Sequence, residues 1–200
     1  GYGCGITDND GQRIDQHSGG LSGDRTFIKR NLFTQGGYII LTNHGDALNY
    51  TSTLEALDNI LTGKSYTLPK IPISIQISKM LKSKDVDSVV KDIRKKLDSE
   101  PDKYEANELG INALGYRHMR EQNLETALAI FKINAEYNPL SANVYDSYGE
   151  ALLANGDTLQ SIKYYKKSLE LDRKNANAFK ILKSLGIDTD NLVNRTLIQK

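Results

Sequence analysis

Gln16-His17-Ser18-Gly19-Gly20-Leu21-Ser22-Gly23 is the segment of this sequence best equipped for chemistry. A histidine and a serine stand beside two glycines, where the missing Cβ lets a ligand approach the backbone closely. The purely structural alternative is a glycine-rich strand end. Other reactive residues are scattered. Cys4 is the sole cysteine, so no internal disulfide forms and cysteine usage does not report the redox compartment. His44-Gly-Asp46 follows an apolar run. It reads as a strand exit, with Asp46 bonding local backbone, rather than as part of a triad. Asp8-Asn-Asp-Gly11 has half of a calcium-loop pattern but no bidentate glutamate at the right offset, so it reads as a hairpin turn. His118 falls at a helical position suited to interhelical packing. No His/Cys cluster has metal-ligand spacing, so no metal and no cofactor is expected. Asn49-Tyr-Thr51 and Asn194-Arg-Thr196 match glycosylation acceptors at chance frequency.

The elements that must position these residues fall in two parts. Over 1–63, glycine, asparagine and aspartate punctuate short apolar runs at Tyr2–Ile6, Arg13–Gly19, Arg25–Arg30 and Gly37–His44, which predicts antiparallel strands. The nearly continuous run Tyr38-Ile-Ile-Leu-Thr-Asn43 reads as a buried central strand. Leu54, Leu57, Ile60 and Leu61 then recur at helical spacing, with Thr51 or Ser52 as the starting cap and Gly63 as the stop. Residues 64–74 hold Pro69 and Pro72 and predict an extended linker.

From 75 the period is helical. Ile75–Lys82 and Val86–Leu97 read as a helix pair ending at Ser99-Glu-Pro101, with Val86, Val89, Val90, Ile93 and Leu97 on one stripe. Glu108–Leu140 then matches Ala142–Lys174 at a constant offset. Ile111 pairs with Tyr145, Leu114 with Tyr148, Gly115 with Gly149, Asn123 with Asp157, Ala127 with Ser161 and Phe131 with Tyr165. A partial third copy begins at Ala176-Asn177. The glycines let paired helices close up, Phe131 and Tyr165 fill the gap to the next unit, and Asn155-Gly156-Asp157 and Pro139 punctuate the helices. Repeats of this kind bury their faces only by stacking, so two and a half to three units run over 75–187, with the helix at 176–185 as a cap and 188–200 as a tail. The fold class expected is α+β: a short antiparallel sheet with a closing helix, then an all-α repeat.

Composition excludes several function classes. Lys+Arg is 26 against Asp+Glu 25, a net charge of +1, which argues against a nucleic-acid tract or a polybasic membrane surface. An apolar fraction of 38% suits thin helical layers better than one thick core. No run approaches 18 apolar residues, which excludes a helical membrane span. The opening Gly1-Tyr-Gly-Cys-Gly has no methionine, basic n-region or apolar h-region, and reads as the start of a piece of something longer.

Two resemblances follow from these residues. The offset between Gly115 and Gly149 is the tetratricopeptide repeat length. Tyr2-Gly-Cys-Gly-Ile, His17-Ser-Gly-Gly-Leu-Ser-Gly23, Gly37-Tyr-Ile-Ile-Leu-Thr-Asn43 and the closing helix resemble, over 1–63, the C-terminal part of the serine β-lactamase-like family, which includes penicillin-binding proteins and class C β-lactamases. There a Lys-Thr-Gly or His-(Ser/Thr)-Gly triplet lines the active site. The resemblance implies that His17, Ser18 and Gly19 match the triplet. His17 and Ser18 would contact a substrate carboxylate or steer protons, and the Gly20 N–H would donate to the oxyanion hole. It implies an extracytoplasmic, acyl-serine hydrolase of amides or esters as parent. The family's Ser-x-x-Lys and Tyr-x-Asn stand upstream of the triplet. The residues before His17 contain neither, and Ser65, Ser78, Ser83, Ser99, Ser141, Ser147 and Ser161 have no lysine three positions on. The chain by itself is therefore expected not to be a working hydrolase. Ala113-Leu-Gly-Tyr116, Ala142–Glu150, Tyr164–Glu170 and the Leu68-Pro-Lys-Ile-Pro72 linker look like tetratricopeptide arrays appended to such hydrolases in Bacteroidetes-type bacteria.

Such arrays present the first helix of each unit to an extended partner. By repeat position, Asn112, Tyr116, Met119 and Arg120 of one unit and Asn143, Asp146 and Glu150 of the next face that groove, where a peptide or protein partner is expected. The alternatives are a merely solvated face, or a scaffold carrying a degenerate hydrolase-like segment. A further expectation is a dimer through an exposed strand edge at 37–43.

Overall fold

A computed structural model describes residues 4–9, 12–21, 24–43 and 50–189. The chain divides into two compact units, Gly1–Pro72 and Ile73–Lys200.

In the first unit, β1 (Gly5–Asn9), β2 (Gln12–Leu21), β3 (Asp24–Asn31) and β4 (Gly36–Thr42) form one antiparallel meander in the order β1-β2-β3-β4. β1 runs on past the apolar stretch that suggested it, because the ladder continues through Asp8↔Arg13 and Asn9↔Gln12. Asp8 and Asn9 are thus strand residues; Asp10 and Gly11 lie outside the described residues. Between β3 and β4, the buried Asn31 side chain accepts from the Phe33 and Thr34 N–H groups at 3.0 and 3.1 Å, and Gln35 adopts φ 56°. Such an asparagine turn closes the hairpin without an Asn-Gly pair.

β4 is an edge of this described sheet, not the buried central strand expected. Strand alternation sends Tyr38 and Ile40 to one face and Ile39 and Leu41 to the other, where they are 66% and 76% exposed. A continuous apolar run makes both faces of a strand apolar; it does not supply a cover for both. The Tyr38 face is the one covered by α1 (Tyr50–Leu61): Asp58 accepts from Lys29 Nζ at 2.7 Å and from the Tyr38 hydroxyl at 2.8 Å. Thr51 and Ser52 lie inside the first turn of α1 rather than ahead of it as caps. Gly63, at φ 68°, ends α1, with the Lys64 N–H returning to the Asn59 carbonyl. His44 and Asp46 fall outside the described residues.

The second unit is a helical array: α2 (Ile73–Met80), α3 (Val86–Ser99), α4 (Glu108–Arg120), α5 (Leu124–Tyr137), α6 (Ala142–Ala154), α7 (Thr158–Leu171) and α8 (Ala176–Ser184). α2 starts directly after Pro72, so the extended linker ends earlier than 74. The first turn of a helix needs no N–H donors behind it, and proline there only fixes φ. α4, α6 and α8 begin at Glu108, Ala142 and Ala176, evenly spaced along the chain. This is a tetratricopeptide-like array. Of the tail, Thr189 is buried and residues from 190 on lie outside the described ones.

The repeat is built on two glycine–aromatic contacts. A Cβ on Gly115 would stand 2.7 Å from the Phe131 ring, and one on Gly149 would stand 3.1 Å from Tyr165. Each aromatic fills the closest approach within its own hairpin, and Phe131 also joins Val144, Tyr148 and Ala151 of the next unit in one core cluster. Buried polar groups tie each second helix to the first. Asn134 Nδ2 donates to the Glu108 carbonyl at 3.1 Å, and the equivalent Ser168 Oγ donates to the Ala142 carbonyl at 2.9 Å. At the turns, Asp157 caps α7 by accepting from the Gln160 N–H at 3.1 Å, and Gly156 takes φ 83°. The equivalent turn uses Gln122 at φ 60°, where Asn123 makes no side-chain cap. α3 buries Val89, Ile93 and Leu97 and is held to α5 by Arg94, which donates twice to Glu136 at 2.9 and 2.8 Å. None of the described helices is long and apolar enough to cross a membrane.

Candidate functional site

Each unit carries one candidate. In the first, β2 pairs with β1 only as far as Gly5↔Gln16, whereas its pairing with β3 continues to Leu21↔Asp24. Among the described residues, His17–Leu21 therefore have a strand neighbour on one side only. The registers His17↔Ile28↔Ile39 and Ser18↔Phe27↔Ile40 put His17 and Ser18 on opposite faces. Both are exposed, but they do not converge on one group from a single face as the triplet roles implied. His17 shares its face with Gly19. A Cβ at Gly19 would meet Thr26 Oγ1 at 2.8 Å, so a larger residue there would displace the threonine side chain across the strand pair. A concavity of about 690 Å³ opens at this end of the sheet, lined by Gly19, Gly20, Asp24, Thr26 and Leu41.

Cys4 stands beside the carboxylate of Asp15, which pushes its thiol pKa up and keeps it from being an activated nucleophile. Asp15 itself is paired with Arg30, which holds its carboxyl below the usual range. The spacing Ser-x-x-Lys does occur once in the chain, at Ser88-Val-Val-Lys91. This corrects the expectation that the chain lacks it. The pair lies in α3 of the helical array, and Ser88 is part of a helix cap: its N–H and Oγ both donate to Asp85 at 2.8 Å. It has the form of the motif without its setting.

In the second unit four of the expected groove residues, Tyr116, Asn143, Asp146 and Glu150, are bonded across repeats, only Tyr116 and Glu150 to each other. Asn143 Nδ2 donates to Glu108 Oε1 at 2.9 Å. The Tyr116 hydroxyl donates to Glu150 Oε2 at 2.7 Å and lies 3.2 Å from Ser147 Oγ. Asp146 accepts from Asn175 at 3.0 Å and from Asn177 at 2.9 Å. Met119 packs against the core cluster, and Tyr116 meets Phe131 edge-on at 5.1 Å. These two residues are therefore part wall and part core. Burial pushes the Tyr116 phenol well above its ordinary value, so it remains a donor at any physiological pH. Arg120 is exposed, and Asn112 keeps a buried Oδ1 with no donor among the described residues.

The donors holding Glu108, Asp146 and Glu150 are neutral amides and a phenol. None of the three carboxylates has a cationic partner within bridging distance among the described residues. Their positions are set while their charge stays uncompensated. Glu108 and Asn177 were not among the residues picked by repeat position, although the same repeat step leads from Asn143 to Asn177. Leu109, next to Glu108 in the chain, is 73% exposed.

The His118 side chain, expected at a packing position, is 13% exposed, with both ring nitrogens buried and without hydrogen-bond partners among the described residues. Burial lowers its pKa, partly opposed by Glu121 at 3.6 Å. Among the described residues, no three His, Cys, Asp or Glu side chains come together as a metal site would require.

No protein-family model matches the chain, and no curated protein sequence does. Among solved structures, the first tetratricopeptide domain of Spaghetti (RPAP3), bound to the HSP90 peptide SRMEEVD, is similar at 19% identity. The match covers 57% of this chain and 87% of that one, with a TM-score of 0.39.

Proposed function

We propose that the helical array holds an extended peptide segment along the first-helix face of α4, α6 and α8, and that this segment is rich in basic side chains. The observation that carries this reading is the set of three carboxylates, Glu108, Asp146 and Glu150, fixed by neutral donors and unpaired with any described cation. A partner bringing lysine or arginine there supplies the missing charge without disturbing the hydrogen bonds. Exposed Leu109 adds an apolar contact at one end. A fluorescein-labelled peptide of alternating lysine and alanine, measured by anisotropy against its glutamate counterpart, tests it. Binding of the lysine peptide at least tenfold tighter, and its loss in Asp146→Asn/Glu150→Gln, supports the reading. Equal affinities overturn it.

A second reading concerns the first unit: the C-terminal piece of a β-lactamase-like serine hydrolase, whose parent cleaves an amide or ester through an acyl-serine outside the cytoplasm. It is supported by the order of strands and closing helix that the family resemblance implies, and by the place of Gly19 and Gly20 at the end of β2, lining the concavity with Asp24 and Thr26. The reading frame upstream of the Gly1 codon decides it. An export signal, Ser-x-x-Lys and Tyr-x-Asn in frame support a hydrolase; a frame without them leaves an interaction scaffold with a degenerate hydrolase-like segment.

The outer edge of β4 completes the proposal. Gly36–Thr42 contains no charge and no proline, the usual guards of an edge strand, and exposes Ile39 and Leu41. A second copy of the chain adding its own β4 there meets no like charge.

A further inference from the structure

α2 and α3 meet so that their outer faces enclose a groove of about 590 Å³. On α3, Asp92, Lys95, Lys96 and Ser99 recur at i, i+3, i+4 and i+7, flanking the buried stripe Val89, Ile93 and Leu97. On α2, Gln76, Lys79 and Met80 face the same space, and Ser83 and Lys84 close it from the turn. The charged groups lining it are Lys79, Lys84, Lys95, Lys96, Asp92 and Glu100.

The two acids are already engaged. Asp92 is paired with Lys84, and Glu100 with Lys103 at 2.8 Å. Both carboxyls are held below their ordinary range by those partners and are ionised at neutral pH. Lys96 lies over the Tyr104 ring at 5.0 Å, donates to its hydroxyl at 3.4 Å and feels Glu100 through space, with no carboxylate within bridging distance. Lys79 and Lys95 have no carboxylate partner within bridging distance among the described residues. Three ammonium groups with no carboxylate within bridging distance among the described residues therefore border one concavity, which holds four lysines against two acids and whose volume suits a small ligand.

We propose that this groove binds a compact polyanion, the phosphate chain of a polyphosphate or nucleoside triphosphate, through Lys79, Lys95 and Lys96. Lysine acts here as a point charge, which suits tetrahedral phosphate oxygens arriving from several directions. A single carboxylate brings too little charge to neutralise three ammonium groups. The site lies on α2 and α3, apart from the acidic face of α4 and α6, and does not depend on the peptide proposal.

Isothermal titration of the full chain with sodium tripolyphosphate, and separately with ATP, tests the inference. The expected result is saturable binding of both with a Kd below about 1 mM at low salt, weakening as salt rises. Lys79→Ala/Lys95→Ala lowers affinity at least tenfold, while Lys166→Ala/Lys167→Ala on α7 changes it less than twofold. Lys79, Lys95 and Lys167 are exposed and Lys166 is half-buried, and an unchanged circular dichroism spectrum shows that the variants fold. Absent binding, equal losses in both double variants, or binding of ATP without tripolyphosphate overturns the proposal.

Discussion

The hydroxyl of Tyr116 donates to Glu150 Oε2 at 2.7 Å, joining two residues that occupy the same position in successive repeats. One side of this bond is a phenol buried against Phe131; the other is a carboxylate with no described cation. The bond thus stitches repeats together and aims a negative charge along the face. Hydrogen bonds to charged acceptors contribute roughly 1.5–3 kcal/mol. Partial exposure reduces this, so Tyr116→Phe is expected to destabilise the array by about 1 kcal/mol, read as a lower urea midpoint with an unchanged m-value. A midpoint equal to that of the parent chain removes the bond from the stability of the array.

The two repeat glycines rank in a definite order. Gly115→Ala drives a methyl to 2.7 Å from the Phe131 ring, whereas Gly149→Ala reaches only 3.1 Å from Tyr165. Overpacking costs about 1–3 kcal/mol, against roughly 1 kcal/mol regained in helix propensity. Gly115→Ala should destabilise by about 1–2 kcal/mol and Gly149→Ala by clearly less. Guanidinium melts that give the reverse order refute this account of the packing.

Gln122 carries φ 60° at the place where the next repeat has Gly156. A side chain in that region costs about 1 kcal/mol. Gln122→Gly should therefore raise stability by roughly 0.5–1 kcal/mol, the opposite of what glycine does inside a helix. A lower melting temperature for the variant contradicts this.

His118 predicts a pH dependence. Burial depresses its folded pKa below the ordinary 6.5, so between the two values the unfolded chain binds more protons than the folded one. Stability from this group is complete above pH 6.5 and declines as pH falls from there towards the folded value. Glu121, the acid beside it, and Arg117 act in opposite directions on the same group. His118→Leu should flatten the slope of unfolding free energy in that window. A slope unchanged in the variant assigns the dependence to other groups.

The edge of β4 is tested by light scattering at high micromolar concentration. The chain is expected to dimerise, and Ile39→Lys/Leu41→Lys to remain monomeric, since facing lysines repel across a two-fold pair. A monomeric parent chain rules the pairing out.

The array was legible in the sequence because its determinants are local and repeated. The constant repeat step, Gly115 with Phe131, Gly149 with Tyr165, and the Asn155-Gly156-Asp157 turn each act within one hairpin or between neighbours, and short-range spacing reports them directly. The strands were legible for the same reason, since alternation and turn residues act within a few positions. Three matters were decided only by tertiary structure. Whether the apolar run of β4 is covered depends on which chain lies beyond Ile39 and Leu41. Whether Tyr116, Asn143 and Asp146 are free or bonded depends on partners in another repeat, across a packing angle that spacing does not encode. Whether Lys79 meets Lys95 depends on the turn between two helices. Sequence periodicity specifies which face of an element is apolar or polar; the packing of elements brings particular side chains on those faces within a few ångströms, and there charge and hydrogen bonding acquire function.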